Sequence, residues 1–308
     1  MSFPESVRSG RFVVTAECIP PRSADAGSIR SCVSSLGNVV NAISVPECED
    51  GVRMSALAAC GHVIAAGAEP ILHLLTRDMN RIALQASILG AASMGVKVFL
   101  CTTGRHQALT TSRSARGVFD VDPIQMIRIA DGIRRAGELA DGQQIESSDG
   151  ASPDGPGVNS RTIGGVDFLI GVETNPFSEP VELQVMTLEK AAAAGADFVV
   201  TQPVFRPEAF ERWMELVRQR KLHERICIIA SVMPLASAEQ AKELGSHYGH
   251  LGITEDLIER LGTTSGAAMA CETAKVLKGV EGVRGISIVG ADPDIAKEVL
   301  SSSGITGS

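Results

Sequence analysis

The stretch Phe12-Val13-Val14-Thr15-Ala16-Glu17-Cys18-Ile19-Pro20-Pro21-Arg22 joins a short apolar run to a carboxylate and a stiff Pro-Pro loop. Seven more apolar runs follow, and each leads into a stretch with helical spacing. The eight candidate strands cover residues 12–18, 39–45, 70–75, 97–102, 166–172, 198–202, 226–232 and 283–289. Continuous apolar runs of this length are typical of parallel strands whose outer face is covered. Eight alternations of strand and helix predict an α/β fold, a closed (β/α)8 TIM barrel.

The segments between the runs have the pattern of amphipathic helices. The clearest cover residues 81–94, 124–139, 181–194, 207–220, 238–248 and 264–277. Several end at a glycine, as at Gly95 and Gly195, which is a common way to end a helix. Trp213 has helical spacing with Phe210 and Val217, so we expect it to pack against the barrel.

Length and composition fit one domain. The chain has 308 residues, of which 44% are hydrophobic and 21% charged, enough for one large core. We expect a single TIM-barrel domain over residues 1–308. Residues 141–165 are rich in Ser, Gly, Asp and Pro, which predicts an exposed, flexible insert. Because this insert precedes the fifth strand, we expect it on the face opposite the catalytic end.

Charge and cysteine usage exclude several classes of function. The formal net charge of −8 argues against a nucleic-acid binder or a protein of anionic membrane surfaces. The N-terminus has no signal-peptide pattern, and no apolar run reaches the roughly 18–20 residues that span a bilayer, so we expect a cytoplasmic protein. The seven cysteines have neither C-x-x-C pairs nor the spacing of a zinc site, so we expect reduced thiols and no metal.

Polar residues recur where the candidate strands end. In a barrel of parallel strands these ends meet at one face, where a ligand would bind. The ring comprises Glu17, Ser44, His73, Thr102, Thr103, Glu173, Gln202, Ser231 and Ser287. A Ser or Thr at such a position often only satisfies loop backbone groups. Glu17 and Gln202 are less easily explained in that way.

Glu17 has the setting of a general acid. It follows an apolar strand and precedes Pro20 and Pro21, which stiffen the loop. We expect its carboxyl to be partly desolvated, which raises a carboxyl pKa and allows proton donation near neutral pH. The alternative is a cap or an ion pair, with Arg22 as the nearest partner in the sequence.

Six short segments, in order along the chain, carry a resemblance to a known family. They cover residues 16–22, with an E-x-x-P-P-R pattern, and residues 69–74, 171–177, 194–203, 232–235 and 282–286. All of them fall at the proper strands. The sequence resembles the methylenetetrahydrofolate reductases, which are flavin-dependent (β/α)8 barrels of one-carbon metabolism.

The resemblance implies an activity and roles for residues. Glu17 would protonate N10 of 5,10-methylenetetrahydrofolate, and reduced flavin would deliver hydride to the resulting iminium carbon, giving 5-methyltetrahydrofolate. Gln202 would bind the pterin, because its amide offers both donors and an acceptor, and Glu173 would share that role. The residues implied in flavin binding are Ser44, His73, Thr102, Thr103, Gly104, Arg105, Phe119 and Lys190. The cofactor would be FAD, with FMN as the alternative, and the reductant NAD(P)H or a protein electron donor. Homo-oligomers are frequent in the family.

Three positions depart from the family pattern. Arg105 stands where most members carry Asp, which reverses a charge beside the expected flavin and folate. Ala191 stands where members carry a flavin-contacting Lys, and Lys190 lies one residue earlier. Ala238 stands where some members carry an aromatic residue for NADH. Two alternatives therefore stay open: a flavin-free, tetrahydrofolate-dependent methyl-transfer enzyme, and a non-catalytic subunit of a one-carbon complex.

Overall fold

Eight parallel strands close into a barrel. The computed structural model describes residues 1–47, 50–146 and 166–307. The strands are β1 Val13–Glu17, β2 Ala42–Val45, β3 Pro70–Leu75, β4 Val98–Thr102, β5 Leu169–Thr174, β6 Phe198–Pro203, β7 Cys227–Val232 and β8 Val283–Ile288. Each strand pairs in parallel with the next, and β8 pairs with β1. The predicted (β/α)8 TIM barrel is therefore confirmed.

Helices surround the barrel. They are α1 Phe3–Arg8, α2 Gly27–Leu36, α3 Ala56–Ala65, α4 Arg81–Ser93, α5 Pro123–Ala136, α6 Val181–Ala194, α7 Pro207–Gln219, α8 Ala238–His247, α9 Glu255–Arg260, α10 Gly266–Lys278 and α11 Pro293–Ser303. Short 3-10 turns lie at Gln107–Leu109, Leu222–Glu224 and Gly249–Leu251. Local sequence explains where several helices begin. In α5, for example, Asp122 is the N-cap residue and Pro123 follows it, and Asp122 and Gln125 form a reciprocal capping box.

All eight predicted strands and all six predicted helices are present; β3 and α6 have the predicted bounds, and the others differ at one or both ends. The second strand begins at Ala42 rather than at residue 39, because the backbone N–H groups of Val39 and Val40 both donate to Leu36 O at the end of α2. The fifth strand begins at Leu169 and continues to Thr174. An apolar run marks where a strand is buried, whereas pairing with neighbours decides where it ends.

The core has two parts. Outside the strands, helix faces pack on the barrel, and Trp213 of α7 is fully buried there, as predicted. Inside the barrel, a separate cluster includes Phe3 and Val7 of α1 together with residues from the strands. Phe3 contacts Phe198 of β6 edge to face, with 5.4 Å between ring centroids. Helix α1 therefore closes the end of the barrel at which the strands begin.

The structure describes the predicted insert only at residues 141–146. Of the predicted insert, residues 147–165 lie outside the described residues, and residues 141–146 are mostly exposed. No helix in the described part of the chain is long and apolar enough to cross a bilayer. Six cysteines belong to the described residues, and all six are buried free thiols. Among those same residues, no group of three or more potential ligands is placed to hold a metal ion.

Candidate active site

A cavity of about 380 Å³ opens where the strands end. Of the residues that the sequence singled out, it is lined by Glu17, Ser44, His73, Thr102, Thr103, Gly104, Arg105, Glu173, Gln202, Ser231 and Ser287. All eight strands contribute polar groups at this mouth of the barrel. The structure thus brings all nine residues of the predicted ring together around one space.

Glu17 is the last residue of β1 and is half-buried. Its Oε2 accepts a hydrogen bond of 2.8 Å from the backbone N–H of Gly290, which follows β8. Gly290 has φ +64°, and an added Cβ would lie 2.7 Å from Met233 Cε, so the position favours glycine. Arg22, the alternative partner suggested by the sequence, forms an ion pair with Asp50. The carboxyl of Glu17 is thus oriented by the backbone at the β1–β8 seam.

The carboxylate of Glu173 accepts hydrogen bonds from side chains on both neighbouring strands. Glu173 of β5 accepts from Thr102 Oγ1 of β4 at 2.7 Å and from Gln202 Nε2 of β6 at 2.6 Å. Both side chains are half-buried. Since only one amide hydrogen of Gln202 is needed for Glu173, the second hydrogen and the Oε1 acceptor are suited to a ligand with adjacent acceptor and donor groups. The pair therefore presents an oriented amide edge to the cavity.

His73 of β3 is a neutral, buried imidazole. Its Nε2 lies 2.6 Å from Ser44 Oγ of β2. Burial lowers the pKa of His73 to about 3, so the ring carries no charge at neutral pH. Among the described residues, neither His73 Nδ1 nor Ser231 Oγ has a hydrogen-bond partner. Unpartnered buried polar atoms are rare, and two in one cavity wall indicate a ligand-binding region.

The loop after β4 forms one side of the cavity mouth. Gly104 has φ +78°, and an added Cβ would lie 2.6 Å from Leu75 Cδ2. The buried Arg77 donates from Nη1 to the backbone oxygen of Arg105 at 2.8 Å and pairs with Asp78. The half-buried Arg105 guanidinium lies over the ring of Tyr248, 4.7 Å from its centroid. Tyr248 follows α8, so this contact joins two sides of the mouth.

Two predicted cofactor residues lie apart from the cavity lining. Phe119, at the end of the loop after β4, is 44% exposed and has φ +45°. Lys190 is exposed on α6, while the neighbouring Ala191 is buried in the helix–barrel core. A one-residue offset turns a helical side chain by about 100°, which accounts for this difference.

Twelve further residues line the cavity and were not predicted from the sequence. The structure adds Leu100, Pro123, Thr174, Asn175, Val200, Thr201, Pro203, Met233, Leu244, Tyr248, Leu251 and Val289. Tyr248 carried one signal, since it is the only tyrosine of the chain and ends a helical stretch. Gly290 carried none, because its role depends on the closure of β8 against β1.

Part of the chain matches a known protein family. The sequence model of the family described as methylenetetrahydrofolate reductase matches residues 163–287. No curated protein sequence matches the chain significantly.

Two solved structures share the fold. An uncharacterized protein from Clostridium thermocellum, described as binding two copies of 5-methyl-5,6,7,8-tetrahydrofolic acid, is 9% identical with a TM-score of 0.64, covering 98% of this chain and 97% of that one. A 2,3-dimethylmalate lyase of the PEP mutase/isocitrate lyase superfamily is 17% identical with a TM-score of 0.51, covering 100% of this chain and 90% of that one. At these identities the likeness concerns the fold alone.

The fold and the cavity define the class: a (β/α)8 barrel with a polar ligand site at the carboxyl ends of its strands. Within that class, residues 163–287 of the chain are similar to the methylenetetrahydrofolate reductase family.

Proposed function

We propose that the protein is a flavin-dependent oxidoreductase that interconverts 5,10-methylenetetrahydrofolate and 5-methyltetrahydrofolate in one-carbon metabolism. The observation that carries the proposal is the Glu173–Gln202 pair in the same cavity as Glu17. The match of residues 163–287 to the reductase family model supports the folate part. The structural neighbour described as binding 5-methyltetrahydrofolic acid adds support for a reduced folate on this type of barrel.

In this proposal Gln202 and Glu173 bind the pterin. A pterin edge carries alternating N–H donors and acceptor atoms, so it matches the remaining donor and acceptor of the Gln202 amide. Glu173 fixes the amide, since it accepts from Nε2 at 2.6 Å. Thr102 holds the other carboxylate oxygen of Glu173 in place. The pterin would therefore meet an amide whose orientation is set before binding, which reduces the entropic cost of binding.

Glu17 would move the proton. In the direction of reduction it would donate a proton to N10 of the methylene folate, so that the five-membered ring opens, and in the reverse direction it would accept that proton. The Gly290 N–H holds one oxygen of the carboxyl and so fixes its plane relative to the bound ligand. A carboxyl positioned in this way acts without first searching for its geometry.

In this proposal the cavity wall would hold the ring of a flavin. The neutral His73, with an unpartnered Nδ1 among the described residues, offers an uncharged aromatic face and a polar atom. Ser44, Thr102, Thr103, Gly104 and Arg105 would complete the binding wall. When bound, the flavin supplies the hydride. The flavin would be FAD or FMN, and NAD(P)H or a protein electron donor would reduce it. Phe119 and Lys190 would contact only those parts of the cofactor that extend outside the cavity.

A visible absorption spectrum tests the proposal. The protein would be purified, supplemented with FAD or FMN under anaerobic conditions, and mixed with 5-methyltetrahydrofolate. We expect a protein-bound flavin band that bleaches on adding the folate. Glu17→Gln should keep folate binding and lose the bleaching, while Gln202→Ala should raise the folate Kd about tenfold, because a ligand hydrogen bond is lost. Glu182→Gln, an exposed change on α6, is the control. Full bleaching by Glu17→Gln would refute the role of Glu17.

One set of observations favours a second candidate, a flavin-free methyl-transfer enzyme that uses a tetrahydrofolate. Ala191 is buried at the family's lysine position, and Arg105 places a cation where a carboxylate is usual. Under this candidate the protein would bind 5-methyltetrahydrofolate tightly and take up no flavin. The same experiment distinguishes the two, since the folate would bind while no flavin would stay with the protein after free flavin is removed.

A further inference from the structure

Arg105 is a half-buried cation in a ligand cavity, and it forms no ion pair with any residue that the structure describes. Its backbone is held by Arg77, so its position does not depend on a loose loop. A guanidinium that is partly removed from water without a carboxylate partner is costly, unless a ligand supplies the negative charge. This feature therefore calls for an anionic group in the occupied site.

The Tyr248 ring covers one side of that guanidinium. Arg105 Cζ lies 4.7 Å from the ring centroid, within the range of a cation–π contact. The N–H groups that point away from the ring can bind carboxylate or phosphate oxygens in pairs. Leu244 and Leu251, on the same segment, also line the cavity and pack an apolar border beside the stacked pair.

The cavity carboxylates do not supply the missing charge. Glu173 is hydrogen-bonded to Thr102 and Gln202, and Glu17 is hydrogen-bonded to the Gly290 backbone. These two carboxylates belong to the strand ends, whereas Arg105 and Tyr248 belong to the loops that form the rim. A ligand that places an uncharged ring at the strand ends and an oxyanion at the rim would satisfy both groups.

We propose that Arg105, stacked on Tyr248, binds the glutamyl carboxylate of the folate ligand. This inference rests on the proposed function, because it takes a reduced folate as the ligand. Arg105 is the binding group, and Tyr248 is a positioning residue that acts through it. The phosphate of a flavin is the other oxyanion that the same chemistry would accept, so the test separates the two sources.

The first arm compares two folates by isothermal titration calorimetry. 5-Methyltetrahydrofolate carries the glutamate, whereas the primary carboxamide of 5-methyltetrahydropteroate, called the pteroate amide below, ends in an uncharged group. Arg105→Gln should raise the Kd of the first about tenfold or more, as expected for a lost charge-assisted pair, and change the Kd of the second less than about twofold. Arg113→Gln, an exposed change on the same loop, removes the same charge and should affect neither ligand.

Tyr248 is tested by its selectivity and by conservative rescue. Tyr248→Ala should raise the Kd of 5-methyltetrahydrofolate about twofold to fivefold and leave the Kd of the pteroate amide unchanged, because the guanidinium loses the ring that positions it. Tyr248→Phe keeps the ring face and should bind like the wild type. Equal weakening of both ligands by Tyr248→Ala would indicate a structural role and overturn the positioning role.

The second arm uses FMN and lumiflavin, which differ by the phosphorylated side chain. Suppose that Arg105→Gln weakens the binding of FMN but not of lumiflavin, and leaves the ratio of the two folate Kd values as in the wild type. The oxyanion is then the flavin phosphate, and the assignment to glutamate is wrong. If the wild type binds both folates equally, the carboxylate contact is refuted while the proposed function stands. If the wild type binds neither folate, the proposed function itself fails. Thermal unfolding of each variant confirms that it is folded.

Discussion

His73 shows how burial alone sets the charge of one residue. The ring is 8% exposed, contacts Ser44 and has a pKa lowered from the usual 6.5 to about 3 by desolvation. In the unfolded chain the same imidazole takes up a proton below pH 6.5, and the folded protein does not. The free energy of unfolding should therefore fall as the pH drops from about 6.5 toward 3.

This linkage gives the first prediction. Between pH 7.5 and pH 5, the His73 contribution should lower the free energy of unfolding by about 2 kcal/mol. Urea unfolding at the two pH values measures it, and His73→Gln should lose less stability than the wild type over the same interval. Glu69, whose pKa is raised by burial, acts in the opposite direction near its own pKa, but it is present in both proteins and cancels in the comparison. Equal pH dependence in both proteins would contradict a neutral buried His73.

Gly290 illustrates a residue whose backbone has a role in the site. Gly290→Ala should cost about 1–2 kcal/mol of stability from its positive φ and should reduce turnover, because the crowding at Met233 displaces the N–H that holds Glu17. Gly10→Ala is a matched control, since Gly10 has φ +77° and nothing within 4 Å of an added Cβ. Urea unfolding and the flavin bleaching rate measure the two effects. Loss of activity in both variants would show that stability, not the Glu17 contact, is responsible.

At the scale of the elements, local pattern was enough to predict the strands and the polar residues at their ends. Buried parallel strands are apolar along their whole length, so the end of each apolar run marks the mouth of the barrel. This pattern was enough to predict that Glu17, His73 and Gln202 lie in one cavity. The positions of Tyr248 and Gly290 in the site could not be predicted in this way, because they depend on how α8 packs over the mouth and how β8 closes on β1. The strand periodicity contains no information on either contact.

An ion-pair network ties three elements together at the opposite end of the barrel. Arg134 of α5 is 8% exposed and donates to Asp131 of its own helix, to Asp197 before β6, and to the backbone oxygens of Phe168 and Gly195. Asp197 also accepts from the N–H of Ile170 in β5. The guanidinium therefore fixes α5 against the starts of β5 and β6.

The network predicts a contrast between two neighbouring arginines. Arg134→Met should lower the free energy of unfolding by about 3 kcal/mol, because removing one partner leaves carboxylates and carbonyls without their donor. Arg135→Met removes only a pair in which the arginine side chain is 67% exposed, and it should cost less than about 1 kcal/mol. Urea unfolding followed by Trp213 fluorescence measures both. Similar losses in the two variants would argue that the buried network adds little.

At the scale of the whole molecule, the barrel separates stability from chemistry. Helix α1 covers the starts of the strands, where Arg284 of β8 donates from Nη2 to the backbone oxygen of Val7 at 2.6 Å. The cavity with Glu17 and Gln202 lies at the other end. Between them, the interior cluster of strand residues fills the barrel, so changes at the covered end should alter stability without altering the geometry of the site.

Phe3 tests this separation. It is fully buried and packs inside the barrel against Phe198, so Phe3→Ala should lower the free energy of unfolding by about 3–5 kcal/mol through lost burial and a cavity. The Kd of 5-methyltetrahydrofolate should stay at the wild-type value, since Phe3 contributes nothing to the mouth. Ile82→Ala on α4 is the control, because that side chain is 73% exposed and its loss should change stability by less than about 0.5 kcal/mol. A stable Phe3→Ala variant would show that α1 is not part of the barrel core. A destabilised variant with a weakened ligand Kd would show that the two ends are coupled, because then the packing of the interior cluster, and not only the strand ends, would set the positions of Glu17 and Gln202.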